Sequence, residues 1–181
     1  MTWIHSANPL SKEKLPYADA MEYDYKLLYP RQVVLVTSQS GEKRSIMALA
    51  WHCPLSFKPP LIGIAVGKTR FSHYLITEGR EFVLSIPTEN MESKVMSVGS
   101  RSGKDVDKFS AFGLTPLKAD VVKPPLIKEF PINLECRVAA ELDAGDHTLF
   151  VGEVVATHAS ATKDKLLFDM GGRNFFGIAR E

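Results

Sequence analysis

Runs of apolar residues divide most of the chain into short strands. β-forming runs occupy residues 32–37 and 44–51 on either side of a turn at Ser40-Gly41, and residues 81–86 form another. Residues 61–66 are continuously apolar, which is typical of a strand buried on both faces. The pattern therefore predicts a hairpin followed by two further strands.

Helix and loop signals separate these strands. Pro54 and Pro59 bracket a predicted loop. A short helix is predicted over residues 70–78, with Gly79 as its C-terminal stop, and a second helix over residues 88–98. Helices this short between strands favour a mainly β fold.

The clearest period of two lies in residues 132–142. Its apolar positions are Leu134, Cys136, Val138, Ala140 and Leu142. Polar residues, among them Asn133 and Glu135, fall on the opposite face, which predicts a half-buried strand. A turn at 143–146 leads into a second long strand over 147–158, predicted to pair with the first antiparallel.

Six or so strands with short helices predict a closed antiparallel β-barrel. Residues 30–181 are expected to form this one domain. Residues 1–29 carry scattered aromatic and apolar anchors and are expected to form an N-terminal arm. Whether that arm packs on its own subunit or on a partner is left open.

Composition excludes several classes of protein. The formal net charge is +1, with acidic and basic residues mixed along the chain, so no nucleic-acid partner is expected. No stretch has the length and character of a membrane span or a signal peptide, so no membrane partner is expected either. Cys53 and Cys136 lie far apart and fit two thiols in a reducing compartment. We therefore expect a cytoplasmic protein.

Common cofactor and metal motifs are missing. There is no GxGxxG, and the glycine-rich segment 99–105 is one residue too short for a phosphate-binding P-loop and ends in Asp105 instead of Ser or Thr. The five histidines show no metal-ligand spacing, so no metal site is predicted. A serine nucleophile motif GxSxG is also absent.

One octapeptide, residues 45–52, mixes small and large side chains. Ser45, Ala48 and Ala50 would let a flat ligand lie close to the backbone, while Met47 or Trp51 covers its face. A buried strand that packs small residues against large ones explains the same pattern. Taken alone, the octapeptide leaves both interpretations open.

Four stretches, taken together and in this order along the chain, carry a resemblance to a known family: Ser45-Ile-Met-Ala-Leu-Ala-Trp51, Arg70-Phe-Ser-His73, Ser102-Gly-Lys-Asp-Val-Asp-Lys-Phe109 and Gly145-Asp-His-Thr-Leu-Phe-Val-Gly-Glu-Val154. Together with residues 134–138 they resemble the flavin reductase-like, FMN-binding split-barrel family, especially its flavoredoxin branch. The resemblance covers roughly residues 30–159. It implies a six-stranded antiparallel Greek-key split barrel, usually a homodimer, with FMN at or near the subunit interface.

The resemblance places the flavin ring against the first stretch. It implies contacts from Ser45, Met47, Ala48, Ala50 and Trp51, where fixed N–H donors stabilise the charge that forms on reduction of the ring. The family often has Asn and Thr where this chain has Ser45 and Ala48. A hydroxyl contact at Ala48 must therefore come from backbone or be lost.

The second stretch resembles the family's phosphate-binding turn into a helix. Thr69, Arg70 and Ser72 would offer donors, charge and a helix dipole to a phosphate. Ser72 stands where the family commonly has Thr and keeps the hydroxyl. From the residues alone, a capped helix beside a solvated arginine fits equally well.

Two further groups are expected near the flavin. Ser102, Lys104 and Lys108 belong to a polar loop that could close on the phosphate or ribityl chain, or could be a solvated turn. His147 opens a strand after a turn, and the resemblance makes it the catalytic candidate, near both the flavin and the nicotinamide nucleotide. The other reading of His147 is a strand-end residue bonded to the turn.

The resemblance implies an FMN-dependent oxidoreductase. Electrons would pass from NADH or NADPH through bound FMN to free flavin, a ferric chelate or a protein acceptor. Two alternatives stay open: a flavoredoxin-type carrier without NAD(P)H oxidation of its own, and an FMN binder with little turnover. The sequence does not reveal the acceptor or the preferred nucleotide.

Overall fold

The computed structural model describes residues 28–171 and 174–179. The predicted N-terminal arm therefore lies outside the described residues, except for Leu28 and Tyr29. The described strands are β1 Arg31–Gln32, β2 Val34–Ser40, β3 Lys43–Leu49, β4 His52–Phe57, β5 Pro60–Gly67, β6 Glu81–Ile86, β7 Pro116–Leu117, β8 Leu126–Ile127, β9 Ile132–Ala144, β10 His147–Ala159, β11 Leu166–Asp169 and β12 Phe175–Ile178. The described helices are α1 Phe71–Gly79, α2 Glu92–Ser100 and α3 Lys108–Ala111, with a 3₁₀ turn at Glu89–Met91 before α2.

Seven strands form one sheet in the order β3-β2-β6-β9-β10-β5-β4, and every pairing in it is antiparallel. The sheet curls, because side chains from both of its halves share one apolar core. Val34 and Val36 of β2 lie in the same cluster as Ile64 of β5 and Phe150 of β10. The predicted mainly β, antiparallel fold is confirmed.

The seventh strand is β4, which occupies the predicted loop between Pro54 and Pro59. Among the described strands it pairs only with β5, and its register shifts between Pro54 and Ser56. An edge strand with a bulge tolerates proline, because the missing N–H need not meet a second neighbour. The prediction of a loop was wrong at this point.

The outer face of the barrel carries the helices. Leu35 of β2 and Ile46 of β3 pack with Val95 and Val98 of α2 and Phe109 of α3 in a second apolar cluster. Strand β2 is therefore buried on both faces, whereas β5 is not. One face of β5 enters the barrel core, while Ala65 on the other stays partly exposed.

Helix α1 ends one residue later than predicted. The left-handed residue at its end is Arg80, with φ of 56°, whose N–H donates to the Ile76 carbonyl. Gly79 is required for a different reason. A Cβ at that position would lie 2.2 Å from the carbonyl oxygen of Gln39, so the helix end meets β2 too closely for any side chain.

Strand β9 departs from its predicted half-buried pattern. Asn133 and Glu135, which were assigned to the polar face, are 5% and 0% exposed. Residues 119–127 cover that face, and Ala119, Val122 and Leu126 form an apolar cluster there. A period of two indicates the alternation of side chains, but not what later segments lie on each face.

No helix in the described part of the chain has the length and apolar character needed to cross a membrane.

Candidate functional site

A pocket of about 500 Å³ opens beside β3, where the end of β5, the start of α1, the end of α2 and the loop after α2 meet. We call it the main pocket. The predicted site residues that line it are Ser45, Met47, Ala48, Ala50, Trp51, Thr69, Arg70, Ser72, Ser102, Lys108 and His147. Lys104 does not line it. The fold therefore brings together residues that are about 100 positions apart in the sequence.

One wall of the main pocket is formed by closely packed backbone. A Cβ on Gly103 would lie 2.0 Å from the Ser45 hydroxyl, so the loop after α2 rests directly on β3. A Cβ on Gly99 would lie 3.5 Å from that of Ala48. Strand β3 is also an edge of the sheet, so part of its backbone has no strand partner among the described residues. This wall can accept a flat ring and offer it N–H and C=O groups.

The main pocket is strongly cationic. Arg70, Arg101 and Lys108 line it, and no Asp or Glu is among its described lining residues. Such a charge balance favours an anionic ligand.

Lys108 is an unusual cation, because it is only 6% exposed. Its ammonium donates to the carbonyls of Ile46, at 2.8 Å, and Val98, at 2.7 Å, and so ties β3 to α2. Burial lowers the pKa of Lys108 to about 8, with a further contribution from the positive charge of Arg70. An ammonium has three donors, so one remains for a group in the pocket.

The start of α1 offers the main pocket further donors. The N-cap residue Arg70 has extended backbone and forms no side-chain cap, which disfavours the simple capped-helix interpretation. Ser72 is 3% exposed and lines the pocket. N–H groups in the first turn of a helix lack intrahelical acceptors and carry the positive end of the dipole. Together these groups can hold a phosphate.

His147 stands at the rim of the main pocket. It is the first residue of β10 and pairs with Gly67, the last residue of β5. Its ring stacks on Trp51, with centroids 4.8 Å apart. Its Nδ1 lies 2.7 Å from a carboxylate oxygen of Asp146. If Nδ1 donates to Asp146, Nε2 is a hydrogen-bond acceptor.

Several lining residues were missed from the sequence. Tyr29, placed in the arm, lines the main pocket, so the predicted boundary at residue 29 divides its wall. Arg101 and Gly103 lie in the segment that was rejected as a P-loop, and Phe71 lies inside the phosphate motif. Proximity to predicted site residues could have found these three.

A second depression, of about 680 Å³, adjoins the main pocket. We call it the side depression. Phe71 and Gly103 line both cavities. Lys104, predicted to reach the flavin, lines the side depression instead, with Lys43 and Arg44. Lys104 therefore lies on the far side of the loop from the predicted contact.

One polar cluster away from the main pocket was not foreseen. Asp120, Glu135 and His158 have potential ligand atoms within 4.8 Å of one another. Glu135 accepts from His158 at 2.6 Å and from the backbone N–H groups of Asp120, Val121 and Val122. Both carboxylate oxygens of Glu135 therefore accept hydrogen bonds from the protein. The role of Glu135 is to hold in place the segment that covers β9.

The fold and the main pocket define a class: an antiparallel barrel with a cationic pocket beside an edge strand. The flavin reductase like domain model matches residues 26–177. The chain belongs to this family.

Relatives and solved structures agree with this assignment. The chain is 30% identical over 146 residues to an NADH-dependent FAD reductase of Streptomyces globisporus, covering 80% of this chain and 78% of the relative. A flavoredoxin from Methanosarcina acetivorans superposes with a TM-score of 0.76 at 27% identity, covering 85% and 88% of the two chains. An FMN-binding protein from Thermus thermophilus gives 0.77 at 28% identity, covering 84% and 89%. The family and these similarities support a flavin-related redox role.

Proposed function

We propose that the main pocket binds FMN and that the protein is an NAD(P)H-dependent flavin reductase. Electrons from NADH or NADPH pass through the bound flavin to free flavin, a ferric chelate or a protein acceptor. The observation that carries the proposal is the meeting of a closely packed backbone wall with three cations and no described carboxylate in one pocket. The names of the similar proteins support it.

The residues of the main pocket fit FMN. The glycine at 103 lets the loop after α2 pack directly on β3 and form one wall of the pocket, because a side chain there would collide with Ser45. Arg70 Cγ and His147 Nε2 each lie 3.6 Å from the position that a Cβ on Gly67 would occupy, so Arg70 is close to the Trp51–His147 pair at the end of β5. When bound, FMN supplies hydride acceptance and onward electron transfer.

The chain's own residues orient and hold the ligand. The β3 backbone and Ala48 position the ring, with Met47 and Trp51 as apolar contacts. The phosphate is bound by Arg70, Ser72 and the first turn of α1. Lys108 adds a further positive charge. Because Lys108 also bonds to β3 and α2, it keeps the two walls of the pocket at a fixed distance.

His147 is proposed to meet the nicotinamide nucleotide. It stands at the rim, stacked on Trp51, and Asp146 fixes the orientation of its ring. From there it can contact the nucleotide or move a proton near the reacting atoms.

Anaerobic mixing tests the proposed function. The protein loaded with FMN is mixed with NADH and with NADPH, and the flavin absorbance at about 450 nm is followed. Rapid loss of absorbance with either nucleotide is expected. A protein that binds no flavin in calorimetry contradicts the proposal at its first step.

A flavoredoxin-type carrier is the second candidate, favoured by the structural similarity to a flavoredoxin. In that case NADH and NADPH leave the absorbance unchanged, while a reduced partner protein bleaches it. An FMN binder with little turnover would respond to neither reductant.

We also propose that the protein is a homodimer. Strand β4 is a sheet edge with large exposed apolar side chains, among them Phe57 at 96% and Leu55 at 45% exposure. An unpaired edge with apolar side chains is typical of an interaction surface. Light scattering of the purified protein gives the mass, and replacing Phe57 and Leu55 by Ser is expected to shift it towards the monomer.

A further inference from the structure

A further cavity, of about 360 Å³, lies on the outer face of the barrel. Its walls include Gly63 and Ala65 of β5 and Leu149 of β10. Gly63 and Ala65 alternate along β5 with the core residue Ile64, so they belong to the face that points away from the core. Arg31 of β1 also lines this cavity, and we call it the Arg31 cavity.

Much of the wall of the Arg31 cavity is apolar. Leu28 and Trp51 line it, and they are 61% and 36% exposed. Gly63 leaves room for the leucines beside it, because a Cβ there would lie 3.1 Å from Leu55 Cδ1 and 3.2 Å from Leu149 Cδ1. Exposed apolar side chains that gather around a cavity are typical of a binding site.

One cation lies among these apolar walls without an acidic partner. Arg31 forms no ion pair with any described residue, and its buried Nε–H has no acceptor among them. Asp169 stands opposite Arg31 in the β1–β11 pair, but it accepts from the Gly171 N–H at 2.7 Å and does not line the Arg31 cavity. A buried N–H without an acceptor costs free energy, which a ligand oxygen would recover.

The neighbours of Arg31 in the cavity do not cancel its charge. The described lining residues include no Asp or Glu. Burial lowers the pKa of His52, the hydrogen bond to the Gln32 carbonyl at 3.0 Å opposes this, and the charge of Arg31 lowers the pKa further. His52 is therefore neutral at pH 7, and Arg31 is the one charged side chain among the lining residues that the structure describes. A single cation within apolar walls favours an anion that carries an apolar body.

We propose that the Arg31 cavity binds a small carboxylic acid with an aromatic or branched apolar body. The guanidinium of Arg31 binds the carboxylate, a pairing that can form two parallel hydrogen bonds. Leu28, Trp51 and Leu149 contact the apolar body. The volume lies within the range of about 300–1,000 Å³ that is usual for small-molecule sites. Trp51 and Ala65 also line the main pocket, but the inference does not depend on a bound flavin.

Calorimetry with phenylacetate, on the full chain with and without FMN, tests the proposal. The acid is expected to bind roughly tenfold more tightly than its neutral analogue phenylacetamide. Arg31→Gln should reduce the affinity for the acid to that for the amide. Arg80→Gln is the matched control, since Arg80 is exposed, pairs with Glu141 and does not line the cavity, and it should leave both affinities unchanged.

A second variant tests the apolar wall. Leu149→Ala should weaken the binding of acid and amide alike, by roughly threefold, because both ligands carry the same apolar body. Arg31→Gln, by contrast, should weaken only the acid. Unfolding curves that match the wild type show that the variants fold. If Arg31→Gln fails to fold, the comparison of acid with amide on the wild type and on Leu149→Ala decides the question.

Four results would overturn the proposal. They are equal binding of acid and amide by the wild type, an affinity for the acid that Arg31→Gln leaves unchanged, binding of the acid only to the FMN-free protein, and no binding of the acid at all. The third would place the acid in the main pocket. The fourth, together with a loss of mass in light scattering of Arg31→Gln, would assign the cavity to contact with a second copy of the chain. Failure of FMN to bind contradicts the proposed function and leaves this inference standing.

Discussion

Two buried charges, both outside the barrel core, are held in opposite ways. Glu135 on β9 is 0% exposed and receives four hydrogen-bond donors. Lys108, at the start of α3, is 6% exposed and donates to two carbonyls. The carboxylate is fully satisfied by the protein, while the ammonium keeps one donor and faces a cavity.

The difference distinguishes a charge that stabilises the fold from a charge that is available to bind a ligand. A buried carboxylate whose two oxygens already accept hydrogen bonds from the protein is not available to a ligand. Its role is to hold in place the segments that donate to it. A buried ammonium with a spare donor, beside two arginines, costs free energy that an anion recovers on binding. Stability should therefore depend on Glu135, and ligand affinity on the main pocket.

The largest expected effect tests the structural side. Glu135→Ala leaves three backbone N–H groups and His158 without their acceptor, and should lower the free energy of unfolding by roughly 3–5 kcal/mol. Chemical denaturation measures it. Glu153→Ala, on an exposed position of β10, is the control and should change stability by less than about 0.5 kcal/mol. An equal, small loss in both variants would show that the cluster does not hold the fold.

The stability of the protein at acidic pH provides an independent test of the role of Glu135. Burial alone would raise the pKa of its carboxyl, but hydrogen bonds from His158 and from the backbone N–H groups of residues 120–122 outweigh burial and hold the pKa below its ordinary value. The native state thus favours the carboxylate, so its contribution to stability is present above about pH 4.5 and is lost as pH falls further. Glu135→Gln should flatten this part of the stability profile.

The next effect concerns the rim of the main pocket. His147→Ala should slow reduction by NADH or NADPH roughly tenfold to a hundredfold and change FMN affinity by less than about threefold. Anaerobic stopped-flow absorbance gives the rate, and calorimetry gives the affinity. His73→Ala removes a histidine that bonds to Thr148 outside the pocket, and should leave the rate unchanged. Collapse of flavin binding with an unaltered rate would make His147 a binding residue instead.

The next prediction tests the role of Arg70 in binding the phosphate of FMN. Arg70→Ala should weaken FMN binding roughly tenfold and riboflavin binding by less than about twofold, because only FMN carries the phosphate. Arg80→Ala, at the other end of α1, is the control, since Arg80 pairs with Glu141 away from the pocket. Equal losses for both ligands would place the phosphate elsewhere.

The smallest effect follows from Lys108. Its pKa of about 8, lowered by burial, means that it loses its charge as pH rises from 7 to 9. FMN affinity should therefore fall roughly three- to tenfold over this range, while riboflavin affinity changes little. Lys108→Met removes the titrating group and should give a flatter profile. A wild-type profile that stays level would exclude Lys108 from contact with the phosphate.

Much of the site was predictable because it lies in local motifs. The β3 stretch, the turn into α1 and His147 each carry their own residue pattern, so their part in one pocket followed from the resemblance. The position of Lys104 outside the main pocket was not predicted, because a loop can turn either way. Only the packing of Gly103 on Ser45 decides which cavity each residue of this loop lines. Tyr29 was assigned to the arm because nothing local marks it as a pocket wall.

The sequence by itself determined the antiparallel β fold, the family and about half of the residues that line the main pocket, since hydrophobic period and short motifs act over a few residues. Only the tertiary structure decided that Glu135 is buried, that β4 is an edge strand and that a second cavity adjoins the first. These depend on contacts between distant segments, such as residues 119–127 lying over β9. No local pattern encodes which segment covers a given face, because that choice depends on the packing of the whole chain.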